Sequence, residues 1–370
     1  MKKIFFLFSI IALAAACSSS DGETSTTNDG YDRKALLTHW ANNIIIPSYT
    51  NYQVKLQTLT TDVNNFTATP TVATLATARA SWVEAYKAFQ YVAPFSFGKA
   101  EDIYFKEKSN TYPTDASGIN ANITAGTYDF TLISQFSKQG LPALDYVLNG
   151  LGTTDEAIVA FYTGASAANY KKYATDLVSN LKTNNDTVLN DWTGSYKNTY
   201  ITNDGNTITS SVSITVNMFI KNFEKNVRAG KIGIPAGVFS GGKTLPASVE
   251  AFYKKDISKT LYTTAIQASQ DFYNGKTFGS TATGPGLKAY LDFLKTVRSG
   301  QNLSDVINDQ FTTIYAKVDL LNANFNTQIT TDNSKMITAY DATQQNVVYM
   351  KLDMMQALKI TVDYVDSDGD

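Results

Sequence analysis

Apolar side chains recur every three or four residues through most of this chain. Leu303, Ile307, Phe311, Ile314, Val318, Leu321 and Phe325 form one stripe over about six turns. Met336, Tyr340, Val347, Met350 and Met354 form a second, on a helix expected from about Ser334 to Ile360. Val72, Leu75, Trp82, Tyr86 and Phe89 make a third. Further helices are expected at 31–65, 128–149, 154–190, 210–228, 247–273 and 284–298. Alternating runs are scarce; Ser211 to Val216 is the best of them, and it can equally open a helix. Breaks fall at Pro70, Pro113, Gly150 to Gly152, Gly233 to Gly242 and Gly284 to Gly286. Long one-faced helices joined by short connections specify helix-on-helix packing. The pattern predicts an all-α protein of two bundles packed together, divided near residues 31–195 and 196–370.

The N-terminus breaks this pattern. Lys2 and Lys3 precede an uncharged apolar run from Ile4 to Ala16, the layout of a secretory signal. That run is too short for a permanent span, which needs roughly 20 residues. Leu13-Ala14-Ala15-Ala16-Cys17 resembles a lipobox, in which the cysteine is acylated and becomes the mature terminus. The other reading is an ordinary signal peptide with an incidental cysteine. Residues 1–17 are therefore read as a lipoprotein signal ending at the lipidated Cys17, and the polar stretch 18–30 as a flexible tether. An outer-membrane lipoprotein, periplasmic or surface-exposed, is expected. Cys17 is the only cysteine, which leaves no intramolecular disulfide.

Charge and chemistry narrow the choice of function. The net charge is −2 with no long single-sign run, so nothing recommends nucleic acid as a partner. One histidine, His39, excludes a multi-histidine zinc site, and no phosphate-cradling loop or nucleophile elbow is present. Arg79 lies on the stripe of Trp82 and Tyr86, where a guanidinium needs an acid partner or a route to water. Gly140 to Tyr146 reads as a helix start, with Pro142 in the first turn, where its missing N–H is no loss, and Asp145 close behind. The ending Asp366-Ser367-Asp368-Gly369-Asp370 lacks the glycine spacing of a helix–loop–helix calcium site and reads as a solvated terminus.

Five segments together resemble the imelysin family of bacterial envelope proteins, once classed as peptidases and linked to iron regulation. They are Ile44 to Tyr49; Arg79-x-x-Trp82-x-x-x-Tyr86 with Phe95 to Gly98 and Tyr112 to Asp115; Gly140 to Asp145; Lys231 to Gly237 with Val249 to Tyr253; and Leu358 to Asp370. The resemblance implies two bundles with a cleft between them and a Gly-x-His-x-x-Glu motif beside it, proposed to bind metal or act in hydrolysis. Here Pro142 stands at the histidine position and Asp145 at the glutamate, which reduces the ligand pair to one carboxylate. No cofactor is therefore expected. The expected function is non-catalytic binding of a small ligand or protein partner in the cleft, in a context of iron or haem acquisition. The cleft would use Arg79, Trp82, Asp115, Gly140, Pro142, Asp145, Lys231 and Glu250. A metal-dependent peptidase is the first alternative; a glycan-binding lipoprotein, suggested by the 22 tyrosines, is the second.

Overall fold

In the computed structural model residues 29–364 are described; the expected signal with Cys17, most of the expected tether and the acidic ending lie outside them. Asp32 caps the first helix by accepting the Ala35 N–H at 2.8 Å. That helix, α1, runs through Arg33–His39, a π-helical Trp40–Ile45 and Ile46–Ala68. Pro47 follows the π-helical turn inside this rod, where the N–H it lacks is one that an uninterrupted helix would donate. Thr71 and Thr74 form a reciprocal capping box that starts α2, Val72–Val92. The short α3 joins Gly140–Asp145 to a π-helical Tyr146–Gly150, and α4 spans Ala167–Asp191. Helix α5 is Ser211–Lys221 continued by a π-helical Asn222–Gly233, and α6 is Ser258–Tyr273. Helices α7, Leu303–Asp319, and α8, Phe325–Val348 continued through Tyr349–Met354 and Met355–Ala357, close the fold.

Two bundles pack side by side. Ile46–Ala68 of α1 packs on α2 and α4; α8 packs on α7 and on the second half of α5. Helices α2 and α6 bring the bundles together. The chain crosses between them through Trp192–Tyr196, where Gly194 leaves helical geometry, and Lys197–Thr202. Arg33–His39 contacts the start of α5, so α1 serves both bundles. The buried apolar cluster is continuous from Leu36 to Leu358. Trp40, Trp82 and Trp192 are all within it.

The helical periodicity and the structure differ in a few places. The stripe from Leu303 to Phe325 is buried throughout, but α7 stops at Asp319 and α8 already starts at Phe325, upstream of the expected Ser334. A bend at Asp332 joins the two parts of α8. Helix is absent from 247 to 257 apart from one 3-10 turn at Pro246–Ser248, because Ala251 and Lys255 take positive φ. The run from Ser211 to Val216 is helix. Val297–Arg298 and Gln301–Asn302 form a two-stranded hairpin where a helix end was expected. Lys295, at φ 52°, ends the preceding helix, Leu287–Leu294, before it. Val72 is 38% exposed rather than inward.

Candidate functional site

Gly140 opens α3 at φ +82°, and a Cβ there would stand 2.4 Å from the Ser109 carbonyl oxygen and 2.6 Å from that of Lys108. Only glycine lets the helix start press onto the backbone of the Phe105–Asn110 helix. Pro142 is buried in the following turn. The indole N–H of Trp82 donates to the Leu141 carbonyl at 3.0 Å, which ties α2 to the motif.

Asp145, 1% exposed, turns toward the opposite bundle. Its Oδ2 accepts the Tyr253 N–H at 2.8 Å and its Oδ1 the Lys254 N–H at 2.8 Å, with the Asn149 amide at 3.1 Å. Burial pushes the carboxyl up to about 7, while these three donors pull against that shift. The carboxylate thus staples the loop that contains Ala251 and Lys255 in their left-handed conformations.

That loop delivers Glu250. Its carboxylate is 2% exposed, pairs with the Lys231 ammonium and accepts the Asn110 amide at 2.8 Å. Asn110 in turn accepts the Tyr86 hydroxyl at 2.5 Å. Burial pushes Lys231 below the ordinary lysine range, against the pull of Glu250. Burial and the Glu250 charge hold the hydroxyls of Tyr86 and Tyr112 well above theirs. One network therefore joins α2, the Phe105–Asn110 helix, α5 and the 249–255 loop.

Beside it lies a groove of about 510 Å³, lined by Phe89, Lys106, Asn110, Tyr112, Asn226 and Lys231 among others. A smaller hollow of about 200 Å³ shares Lys106, Asn222 and Lys225 with it and continues toward Tyr104 and Lys221. The groove's lining is rich in lysine and amide groups, with Glu107 as its carboxylate, 3.3 Å from Lys106, and the smaller hollow adds Glu101.

Of the residues named from sequence, Trp82, Gly140, Pro142 and Asp145 come together as one unit, and Lys231 and Glu250 as a buried pair. Two lie elsewhere. Arg79 donates to the Leu148 carbonyl at 2.8 Å and pairs with Asp155 at 2.7 Å, and neither it nor its acid partner lines the groove. Asp115 caps the Ala116–Ala125 helix, accepting from Gly118 N–H at 2.9 Å and Ser117 at 2.8 Å. The Gly118 N–H, above all, draws its carboxyl below the ordinary range. Sequence reasoning did not name Asn110, Lys106 or Asn226. The break at Tyr112-Pro113, two residues beyond Asn110, was the available signal.

The metal implied by the family motif does not fit these residues. Asp145 spends both oxygens on backbone N–H groups, and Glu250 faces an ammonium rather than a second ligand. Among the described residues, no three or more of His, Cys, Asp and Glu are grouped to hold a metal ion.

Fold and site define an all-α, two-bundle protein with a carboxylate-stapled loop and a cationic groove at the bundle junction. The imelysin family model matches residues 45–350, and the chain belongs to that family. Two solved structures share the fold. A protein assigned as an iron-regulated protein A precursor, from Parabacteroides distasonis ATCC 8503, is 17% identical, with a TM-score of 0.72 over 88% of this chain and 95% of that one. An imelysin-like protein from Psychrobacter arcticum 273-4 is 18% identical, with a TM-score of 0.69 over 90% and 97%. Among curated proteins none matches the chain.

Proposed function

We propose that this chain is a non-catalytic binding protein of the cell envelope, anchored through Cys17, which holds an anionic ligand in the groove at the bundle junction. The observation that carries the reading is how the polar groups are used. Both motif-region carboxylates are committed internally, Asp145 to backbone and Glu250 to Lys231 and Asn110, while Lys106, Lys225, Asn222 and Asn226 line the open space with Glu107 as its carboxylate. A hydrolase needs a carboxylate, imidazole or metal-bound water free to act on substrate. A binding site needs only convergent donors on a concave, partly apolar wall. The likeness to a protein described as iron-regulated supports an iron-linked context, in which ferric citrate and haem are suitable anionic probes. Among the described residues no helix is long and apolar enough to cross a membrane, which fits attachment through a terminal anchor.

Calorimetric titration of ferric citrate and of haem into wild type and Lys106→Ala tests the groove. Lys106 sits on its wall with its side chain 29% exposed, so its removal leaves the core intact. Binding weakened tenfold or more in the variant supports the reading; equal affinity removes the groove from it. Chelator-sensitive cleavage of an unfolded protein substrate, lost in Asp145→Ala, would establish the peptidase alternative instead.

A further inference from the structure

The described chain begins at Asp29, and its first residues are fastened to one end of the molecule. Asp29 accepts from Arg33 at 2.8 Å and from the Tyr290 hydroxyl at 2.5 Å. Tyr31 stacks on Tyr290 with ring centroids 3.9 Å apart and meets the Phe293 ring at 5.3 Å. Large apolar side chains are exposed around this point. Phe293 is 50% exposed, Val297 on the neighbouring hairpin 63%, and Ile208 69%. Ile208 belongs to the loop whose residues Asp204 to Asn206 share a hollow with Tyr31 to Lys34. Exposed Lys34 and Lys295 flank these side chains, together with exposed Asp32 and Asp292.

Geometry decides which end of the molecule can approach an anchor at Cys17. Eleven residues lie between Cys17 and Asp29, and the twelve steps from one to the other reach about 40 Å when fully extended. Helix α1 starts at Arg33 and ends at Ala68, just before Val72, and its rise of 1.5 Å per residue makes it roughly 50 Å long. A molecule resting on its Val72 end would hold Asp29 farther from the membrane than those residues can span.

We propose that the end bearing Asp29, Phe293 and Val297 rests on the phospholipid surface that carries the Cys17 anchor, with its apolar side chains in the interface and its lysines at the headgroups. Aromatic and aliphatic side chains gain by leaving water there, and lysines gain at anionic lipid. The inference rests on Cys17 being the anchor. The test therefore supplies that link chemically, so that the orientation is judged whether or not the cell acylates this cysteine.

The mature chain from Cys17 is coupled through its single thiol to a maleimide phospholipid in phosphatidylethanolamine–phosphatidylglycerol vesicles, with and without chain-brominated lipid. All three native tryptophans are buried and give a constant background. Phe293→Trp and, separately, Val297→Trp report the proposed end. Val54→Trp, at a site 57% exposed on the flank of α1, and Val72→Trp report the side and the far end. The expected result is that bromolipid quenches the added emission at 293 and 297 by twofold or more and leaves 54 and 72 unchanged. Equal quenching at all four sites, quenching at 54 or 72 alone, or quenching at none overturns the proposal. Mass measurement of the membrane-bound chain and of Cys17→Ser separately decides whether the anchor is made in the cell.

Discussion

The Asp145 carboxylate accepts the backbone N–H of Tyr253 at 2.8 Å, across 108 residues of chain. With the Lys254 N–H beside it, this bond fixes the loop from one bundle onto the helix start of the other. Two left-handed residues, Ala251 and Lys255, bracket the contact. The acid of the degenerate motif therefore acts on backbone, as a clamp, and the position of Glu250 follows from it.

Asp145 gives the clamp a pH dependence. With its carboxyl pushed from 3.8 to about 7, the folded state keeps a proton that the unfolded chain releases. Stability should therefore fall as pH rises through that window, by a few kcal/mol in all, and be highest toward its acidic end. Asp145→Asn cannot titrate, so its melting temperature should change less between pH 4 and 7 than that of wild type. At pH 5 the variant should be less stable by about 1–3 kcal/mol, because its NH2 group faces a backbone N–H. Thermal melts of both proteins across the range measure both effects.

Lys231 and Glu250 are each less than 5% exposed. Lys231→Met should cost about 3–5 kcal/mol by stranding a buried carboxylate. Lys231→Met combined with Glu250→Gln should recover much of that loss, since no unpaired charge remains. Denaturant unfolding of both single variants and the double variant completes the cycle. Additive losses would show that the pair is not coupled.

Gly140→Ala should lower stability by at least about 2 kcal/mol, because the new Cβ meets carbonyl oxygens at 2.4 and 2.6 Å and the backbone is left-handed. A chemical-denaturation midpoint unchanged from wild type would refute the close approach of α3 to residues 108 and 109.

Arg79→Ala should cost about 1–2 kcal/mol by freeing the Leu148 carbonyl and losing the pair with Asp155, whose side chain is 42% exposed. Affinity for any groove probe should be unchanged. A calorimetric loss of binding in this variant would bring Arg79 back into the site.

The architecture was readable because helix period is a local property: the stripe from Leu303 to Phe325 is buried at every position. What local pattern did not carry was the break between α7 and α8, since Leu321 and Phe325 continue the spacing across a loop. The helix predicted over 247–273 failed at its first half for the same reason. Apolar residues such as Val249 and Phe252 keep the period, while the left-handed Ala251 and Lys255 are imposed by a tertiary bond from Asp145. In the site, Arg79 stands on an inward line as the stripe implied, but its partner Asp155 lies 76 residues away and no spacing rule points to it. Asn110 was invisible because an amide on a short helix carries no periodic signal. Pro142 and Asp145 were legible as a helix start, and that is how they sit.

The π-helical stretch from Trp40 to Ile45 lets a single rod obey two masters. One surplus residue in a turn rotates everything beyond it by about 100°, a quarter-turn and a little more. Upstream, Leu36 and Leu37 are buried where the rod meets α5; downstream, Tyr49, Tyr52 and Leu56 are buried where it meets α2 and α4. Insertions or deletions of one residue between positions 40 and 45 thus act as angular gears, re-aiming half the rod, whereas the same change in an ordinary surface loop is absorbed without rotation.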